Sequence, residues 1–431
     1  MSSKTETEEE DNDVDVDVDG FASRTSQKSK AKQLDDAFDT EIVAVDDEDD
    51  EEEEEDDEDD EEGVPLDVNG QPLVNEFDPD CLLTLPFDLE NLARQKVAAI
   101  CDRYEDNVVR PQTERAAEER KEALAKGLVT PEVAAHDEEL AQMGLDPEEV
   151  RDTSMAAEYA MEIFDYMAKC EAKTMANPSY MDFQGEIQWH MRATLVDWLM
   201  QVHMRYHMLP ETLWIAVNIV DRFLSARVVS LAKLQLVGVT AMFVAAKYEE
   251  ILAPSVDEFV FMTERGYTRE EILKGERIIL STLDFNVSEY CSPYSWVRRI
   301  SKADDYDIRT RTLSKFLMEV ALFDHRFLRA KPSLIAAVGM FLAKKMLGGE
   351  WDDGFVYYST YIEEQLVPGA NLLLEKLIDP DFASKFVCMK YAHKKFLKAS
   401  TYAADWAKRN HEALLQQAAA YGHPQQQQSQ P

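Results

Sequence analysis

SLAKLQLVGVTAMFVAAKY, residues 230–248, is apolar on almost every side and is threaded with Gly238, Ala241, Ala245 and Ala246. A helix that is apolar all round is a buried helix, and small residues let its neighbours come close. PSLIAAVGMFLAKKML, residues 332–347, has the same character, with Ala336, Ala337, Gly339 and Ala343 in the small positions. The surroundings match too. IVDRFLSA (219–226) precedes the first stretch and LFDHRFLRA (322–330) the second, AMFVAAKYE is echoed by GMFLAKKML, and a helix-start signal follows in both halves. This is a diverged internal duplication. It predicts two successive helical bundles, each built around its own buried middle helix.

Outward from these helices, short breaks separate further helical patterns at Asn177-Pro178, Leu209-Pro210, Ala253-Pro254, Arg265-Gly266, Ser292-Pro293 and Lys331-Pro332. Ser255 with Glu258, Thr268 with Glu271, and Thr360 with Glu363 each match the capping box, in which a hydroxyl and a carboxylate satisfy free amides at a helix start. Pro210 stands where a first-turn proline opens a helix. No run of strict alternation competes, so the folded part is expected to be all-α.

The 431 residues are 45% hydrophobic and carry a formal net charge of −40. That charge is concentrated. Residues 1–80 hold 34 acidic and 5 basic side chains, residues 81–150 hold 16 and 8, and the remainder is close to neutral at −3. Asp46 to Glu62 is acidic without interruption, and such a run repels itself and buries no core. The expected organisation is a disordered acidic tail (1–80), a partly helical linker (81–152), a first bundle with a preceding helix (153–290), a second bundle with a C-terminal helix (291–409) and a disordered Gln-rich tail (410–431). Cys81, Cys101, Cys170, Cys291 and Cys388 are scattered and odd in number, which argues against a disulfide framework or zinc ribbon. The N-terminus is acidic and polar and charge interrupts the apolar stretches, so a soluble protein of nucleus and cytoplasm, with no membrane association, is expected.

Several long motifs in order resemble the cyclin family, and within it the fungal mitotic B-type cyclins. MRATLVDWLMQVH (191–203), LWIAVNIVDRFLS (213–225), LAKLQLVGVTAMFVAAKYEEI (231–251) and ILKGERIILSTLDF (272–285) resemble the first cyclin box. RRISKADDYDIRTRTLSKFLMEVALFDHRFL (298–328) and KKFLKAS (394–400) look like the fungal B type downstream of it. The resemblance runs from about residue 153 to 409. It implies two consecutive five-helix bundles preceded by an N-terminal helix, here at 153–170. It also implies a function: a regulatory subunit, not an enzyme, that forms a heterodimer with a cyclin-dependent protein kinase at the G2/M transition. Such a subunit presses the kinase αC helix inward and favours the active conformer, with no cofactor and no metal.

Position by position, the resemblance assigns kinase contacts to Lys247, Tyr248 and Glu276. Lys247 would donate to backbone carbonyls and Glu276 would accept from amides or hydroxyls, with Tyr248 as an aromatic anchor. By themselves such charges read as solvated helix ends. Arg192 and Asp221 match a buried ion pair that locks helices together. Met191, Leu195 and Trp198 fall at i, i+4 and i+7, one helical stripe. Ordinary core packing explains such a stripe, but Val196, Leu199, Met200 and Val202 already fill other faces of this helix. The resemblance makes the stripe an exposed patch, completed by Gln201 and Gln235, that receives Arg-x-Leu motifs of substrates and inhibitors. Thr194 and Gln201 depart from the pattern, and the missing carboxylate at 201 weakens capture of the arginine.

Other chemistries find little support. His203 and His207 lie four apart, but Met204 stands where a metalloprotease has its glutamate. There is no Gly-rich phosphate loop, no GxSxG elbow and no kinase catalytic signature. A cyclin-fold transcription factor would carry a zinc ribbon and a basic folded region, and residues 151–431 are slightly acidic, so no nucleic-acid partner is expected. The acidic tail could bind basic proteins such as histones. Neither an Arg-x-x-Leu with a downstream Asn nor a Lys-Glu-Asn is found in the N-terminal region. Lys28, Lys30 and Lys32 form a weak import signal, and Thr130-Pro131 and Ser292-Pro293 are minimal proline-directed phosphorylation sites, the latter reading better as a helix start.

Overall fold

A computed structural model describes residues 87–142, 150 and 156–421, all within the unit formed by Asn75–Pro431. The acidic tail 1–80, the three lysines at 28–32 and residues 422–431 lie outside the described residues. Among those described, every regular element is helical.

The first bundle is α5 (Trp189–Arg205), α6 (Pro210–Ala226), α7 (Leu231–Glu249), α8 (Val256–Met262) and α9 (Arg269–Thr282); α4 (Ala160–Lys173) precedes it. The second is α10 (Pro293–Ile300), α11 (Ile308–Ala321), α12 (Pro332–Met346), α13 (Asp353–Ser359) and α14 (Glu363–Ile378). α15 (Phe386–Ala392) and α16 (Ala399–Tyr421) close the chain. The middle helices α7 and α12 are the buried ones: Ala241, Met242, Ala245 and Ala246 in the first, and Ala336, Ala337, Met340 and Ala343 in the second, are wholly inaccessible. α7 is long and apolar enough by length and composition to cross a membrane, yet most of it lies inside the bundle. Gly238 and Gly339 allow the closest approaches. A Cβ at Gly238 would stand 2.6 Å from Leu195 Cδ1, and one at Gly339 would stand 2.9 Å from Met318 Cγ and 3.2 Å from the Ser314 carbonyl oxygen.

Two helix starts follow the capping-box reading. Glu258 accepts from the Ser255 amide at 2.6 Å, and Glu271 from the Thr268 amide at 2.8 Å. The third does not. Thr360 sits in a left-handed turn (φ 64°) with its hydroxyl on the Ser359 carbonyl, and α14 begins after Ile362, whose amide donates to Gln365. Of the helix expected at 153–170, residues 153–155 lie outside the described residues; Ala156 is left-handed (φ 46°), a 3-10 turn follows, and α4 continues through Lys173. α16 runs past Arg409 to Tyr421, so the first part of the expected Gln-rich tail is helical.

The linker, read as partly helical, holds three helices in its described part: residues 87–142 form α1 (Phe87–Tyr104), a π-helical turn (Glu105–Val109), α2 (Arg110–Ala125) and α3 (Pro131–Gln142). α1 docks on the second bundle, which the sequence signals only through Ala93, Val97 and Ile100 at i, i+4 and i+7.

Buried polar ties join the parts. Arg192 donates to Asp221 through Nε (2.6 Å) and Nη2 (2.7 Å), and its Nη1 crosses to the Leu322 carbonyl of the second bundle (2.7 Å). The Tyr180 hydroxyl also donates to Asp221 at 2.9 Å. Glu171 of α4, itself buried, accepts from the amide and hydroxyl of Ser333 in the first turn of α12 (2.5 and 2.8 Å). The first amide of α7, on Leu231, donates to Glu186 at 3.1 Å. A carboxylate at a helix N-terminus satisfies free amides and complements the helix dipole.

Candidate functional site

The C-terminus of α7 delivers Lys247 and Tyr248 to the surface, and α9 brings Glu276 to meet them. Lys247 and Glu276 pair with each other, the lysine side chain 44% and the carboxylate 12% accessible. The ammonium also lies 4.4 Å from the centroid of the Phe243 ring, a cation–π contact that steers the side chain along the helix end. In the free chain each charge thus satisfies the other. A partner backbone would have to take over both, which suits a donor and an acceptor held side by side. Tyr248 is half exposed, and burial, then Glu249 and Cys291, push its hydroxyl above the ordinary value. The second bundle keeps the equivalent lysine, Lys345, which pairs with Glu363 at 3.0 Å.

The loop after α7 adds what the sequence reading missed. Ile251 and Leu252 are almost completely exposed, at 97% and 90%. Their neighbour Glu250 accepts from the Leu209 amide and the Thr212 hydroxyl, fixing the loop against the start of α6. Phe285, in a left-handed turn after α9, is 70% exposed. A second apolar strip lies on the first half of α4 and the turn before it: Tyr159, Ile163 and Tyr166, at i, i+4 and i+7, are all exposed. Tyr166 hydrogen-bonds Cys170, which raises its hydroxyl. The i, i+4, i+7 spacing was the available signal. Without a bundle to compare, such a stripe reads as core.

The expected exposed patch on α5 is smaller than its spacing suggested. Leu195 is buried, its methyl groups lying over Gly238, while Met191 and Trp198 are half-buried. Gln235 is exposed, and Thr194 spends its hydroxyl on the His190 carbonyl (3.0 Å). Gln201 is half-buried and donates to Asp197 at 3.5 Å, and Asp197 in turn accepts from the Phe386 amide at the start of α15 (2.8 Å). Burial holds the Asp197 carboxyl above its usual range, partly offset by that hydrogen bond. The physical reason for the correction is the close approach of α5 to α7, which Gly238 permits and Leu195 fills.

His203 does not reach toward His207. It is buried, and its Nε2 donates to the Leu209 carbonyl at 2.8 Å, whereas His207 is exposed in a left-handed turn.

Two five-helix bundles in tandem, with a preceding helix and a lysine–glutamate pair beside exposed aromatic and aliphatic side chains, define a cyclin-fold protein. The family profile described as cyclin, N-terminal domain, matches residues 162–288, and that described as cyclin, C-terminal domain, matches residues 291–405. A G2/mitotic-specific cyclin-B of Emericella nidulans is 48% identical over 312 residues, covering 71% of this chain and 64% of that protein. The G2/mitotic-specific cyclin cdc13 of Schizosaccharomyces pombe is 51% identical over 267 residues, covering 62% of this chain and 55% of that protein. The chain belongs to the cyclin family, in its fungal mitotic B-type branch. It spans less than two thirds of the length of these relatives. Among solved structures, a viral cyclin from herpesvirus saimiri superposes with a TM-score of 0.41 at 15% identity, over 57% of this chain and 96% of that one.

Proposed function

We propose that the protein is a regulatory subunit that binds a cyclin-dependent Ser/Thr protein kinase and switches it on for the G2/M transition, contributing no catalytic group of its own. One observation carries this reading: Lys247 and Glu276 stand paired and partly accessible beside Tyr248, Ile251 and Leu252. The aliphatic and aromatic side chains supply area to bury, and the two charges fix the orientation in which it is buried. The kinase αC helix is the element that would meet this face, with Lys247 turning to its carbonyls and Glu276 to its amides. Activation is then a population shift, because only the αC-in conformer fits. Substrate docking at Met191, Trp198, Gln201 and Gln235, with Arg-x-Leu motifs as ligands, belongs to the same proposal. Its arginine subsite would be weak, since Gln201 is an amide engaged with Asp197. Action in nucleus and cytoplasm, and capture of basic proteins by the acidic tail, complete the reading.

The test mixes the full chain with a purified cyclin-dependent kinase and follows histone phosphorylation. The wild type should raise the rate by orders of magnitude, and a Lys247→Ala/Glu276→Ala variant should bring it to the kinase-alone level. Because the pair is partly exposed, that variant should keep its thermal stability within about 1 kcal/mol. A double variant that activates normally would sink the assignment.

A further inference from the structure

Ile251 and Leu252 stand side by side in the turn that leaves α7, 97% and 90% exposed. Single exposed aliphatic side chains are ordinary, but two adjacent ones with almost no cover offer apolar area that a partner could bury. The turn carrying them is fastened at both ends. At the far end Ser255 caps α8, with Glu258 accepting from its amide at 2.6 Å, and the Glu258 carbonyl accepts from the Tyr206 hydroxyl at 3.2 Å. At the near end Glu250 leaves α7 and reaches the start of α6. Its Oε1 accepts there from the Leu209 amide (2.6 Å) and from the hydroxyl of the wholly inaccessible Thr212 (2.5 Å). Leu209 precedes α6 and supplies no side-chain cap of its own. Its carbonyl is held from the other side by His203 Nε2 of α5 at 2.8 Å, after a turn that passes through left-handed His207 (φ 52°). Glu250 therefore closes on a seat that is already fixed.

The duplication supplies a comparison within the same chain. Lys345 over the Phe341 ring matches Lys247 over the Phe243 ring, and three residues further on Gly348 (φ 80°) stands where Glu250 does. The turn after α12 thus has no carboxylate at this position to tie it outward, and its large apolar residue folds in. Trp351 is 9% exposed, stacks on Phe355 at 4.8 Å and meets Phe341 edge-on at 5.8 Å, while its Nε1 donates to the Tyr361 carbonyl at 2.9 Å. One copy of the turn is sealed against its bundle, and the other is held away from it.

We propose that Glu250 is a positioning residue of the kinase-docking face, and that its carboxylate holds Ile251 and Leu252 as a pre-set aliphatic prong for an apolar recess on the kinase. Presetting matters because the ordering of a loose loop on binding is subtracted from affinity. The proposal rests on the kinase-docking reading for its consequence, tighter capture; the fastening of the turn by Glu250 stands on its own hydrogen bonds. Glu250 also serves α6 as a cap, since a carboxylate beside a helix start satisfies a free amide and complements the dipole. The experiment must therefore separate the cap from the position.

The full chain is compared with four variants: Glu250→Ala, Glu250→Gln, Glu250→Ala/Leu209→Asn and Ile251→Ser/Leu252→Ser. Asparagine at 209 gives α6 a local cap without restoring the tie to the turn. Backbone order parameters of Ile251 and Leu252 are measured by NMR without kinase, urea midpoints report stability, and kinase affinity is measured separately. The order parameters should be about 0.85 in the wild type and below about 0.6 in Glu250→Ala. Capture by Glu250→Ala should weaken about 10-fold, as expected if only a tenth of the molecules present the prong. Glu250→Gln keeps a carbonyl oxygen for both donors and should recover part of each loss. Glu250→Ala/Leu209→Asn should regain urea midpoint but neither order nor capture. Ile251→Ser/Leu252→Ser should weaken capture while the Leu209 amide stays protected from exchange. Order parameters unmoved by Glu250→Ala, capture restored together with the midpoint by Leu209→Asn, or capture untouched by the double serine variant would each overturn the proposal. Should Glu250→Ala fail to fold, Thr212→Val, which removes one of the two donors, replaces it under the same criteria. If the wild type captures no kinase, the docking reading falls by itself, and the order parameters still decide whether Glu250 holds the turn.

Discussion

Replacing Asp221 by alanine removes the acceptor at the centre of the deepest polar cluster. Arg192 is 3% exposed and would keep only the Leu322 carbonyl, while the hydroxyl of Tyr180, a fully buried residue, would lose its partner. Stranding one member of a buried ion pair costs about 3–5 kcal/mol. An orphaned buried hydroxyl costs about 1–3 kcal/mol more, but the two share a network and do not simply add. A loss of about 4–6 kcal/mol is expected, a large part of the roughly 5–15 kcal/mol by which folded proteins are stable. The assay is equilibrium urea unfolding followed by tryptophan fluorescence near neutral pH. A companion variant, Arg192→Met/Asp221→Leu, removes both charges and should lose only about 1–3 kcal/mol, because the Leu322 carbonyl and the Tyr180 hydroxyl are both left without partners while no buried charge is stranded and apolar side chains fill the space. The order is the decisive result. If Asp221→Ala costs less than about 1 kcal/mol, or the double variant is less stable than the single, the cluster is not the buried, mutually dependent network described.

Three further outcomes follow from the same structure. Gly339→Ala should lose about 1–3 kcal/mol because its new Cβ meets the Ser314 backbone carbonyl, which cannot easily yield. Gly238→Ala meets one side chain and no backbone, both methyls and the Cγ of Leu195, and gains helix propensity, so it should lose less than Gly339→Ala; thermal unfolding that ranks them the other way refutes the packing account. His203 is held below its ordinary value by burial, with Lys390 adding to this and the Leu209 hydrogen bond, Glu319 and Glu250 opposing. A depressed folded value means the unfolded chain takes up the proton first, so stability is intact above about pH 6.5 and falls as pH drops below it, by up to about 1.4 kcal/mol per pH unit. Comparing urea midpoints at pH 7.5 and 5.5, His203→Gln should show a smaller difference than wild type, and an equal difference would remove His203 from the explanation.

How much of this was legible in the sequence depends on where the partner of each side chain lies. Residues 230–248 and 332–347 announce themselves because burial on all sides leaves no polar face to disguise. Ser255 and Thr268 were legible because a capping box is local, each partner three residues away. Thr360 matched the same pattern, yet the chain turns through left-handed geometry there and hands the helix start to Ile362 and Gln365. α1 was hidden for the opposite reason: its seat is made by Tyr357, Asp353 and Glu364, more than 200 positions away by the hydrogen bonds that join them. The α5 stripe looked exposed because spacing counts faces and does not count neighbours, and the missing Cβ of Gly238 lets Leu195 disappear between helices. For Lys247 and Glu276 the sequence supplied the residues by resemblance, and only the fold brings them together from separate helices.

The amides at the starts of α7 and α12 are both met by carboxylates, Glu186 and Glu171, and both carboxylates lie upstream of either bundle. The two copies of the duplication are thus moored to one short strip of chain that belongs to neither. A recombinant fragment cut at Trp189, where the first bundle begins, would cast both central helices adrift at once. The natural border of the folding unit therefore lies ahead of the repeated unit, and any excision of this domain for biophysics should begin upstream of α4.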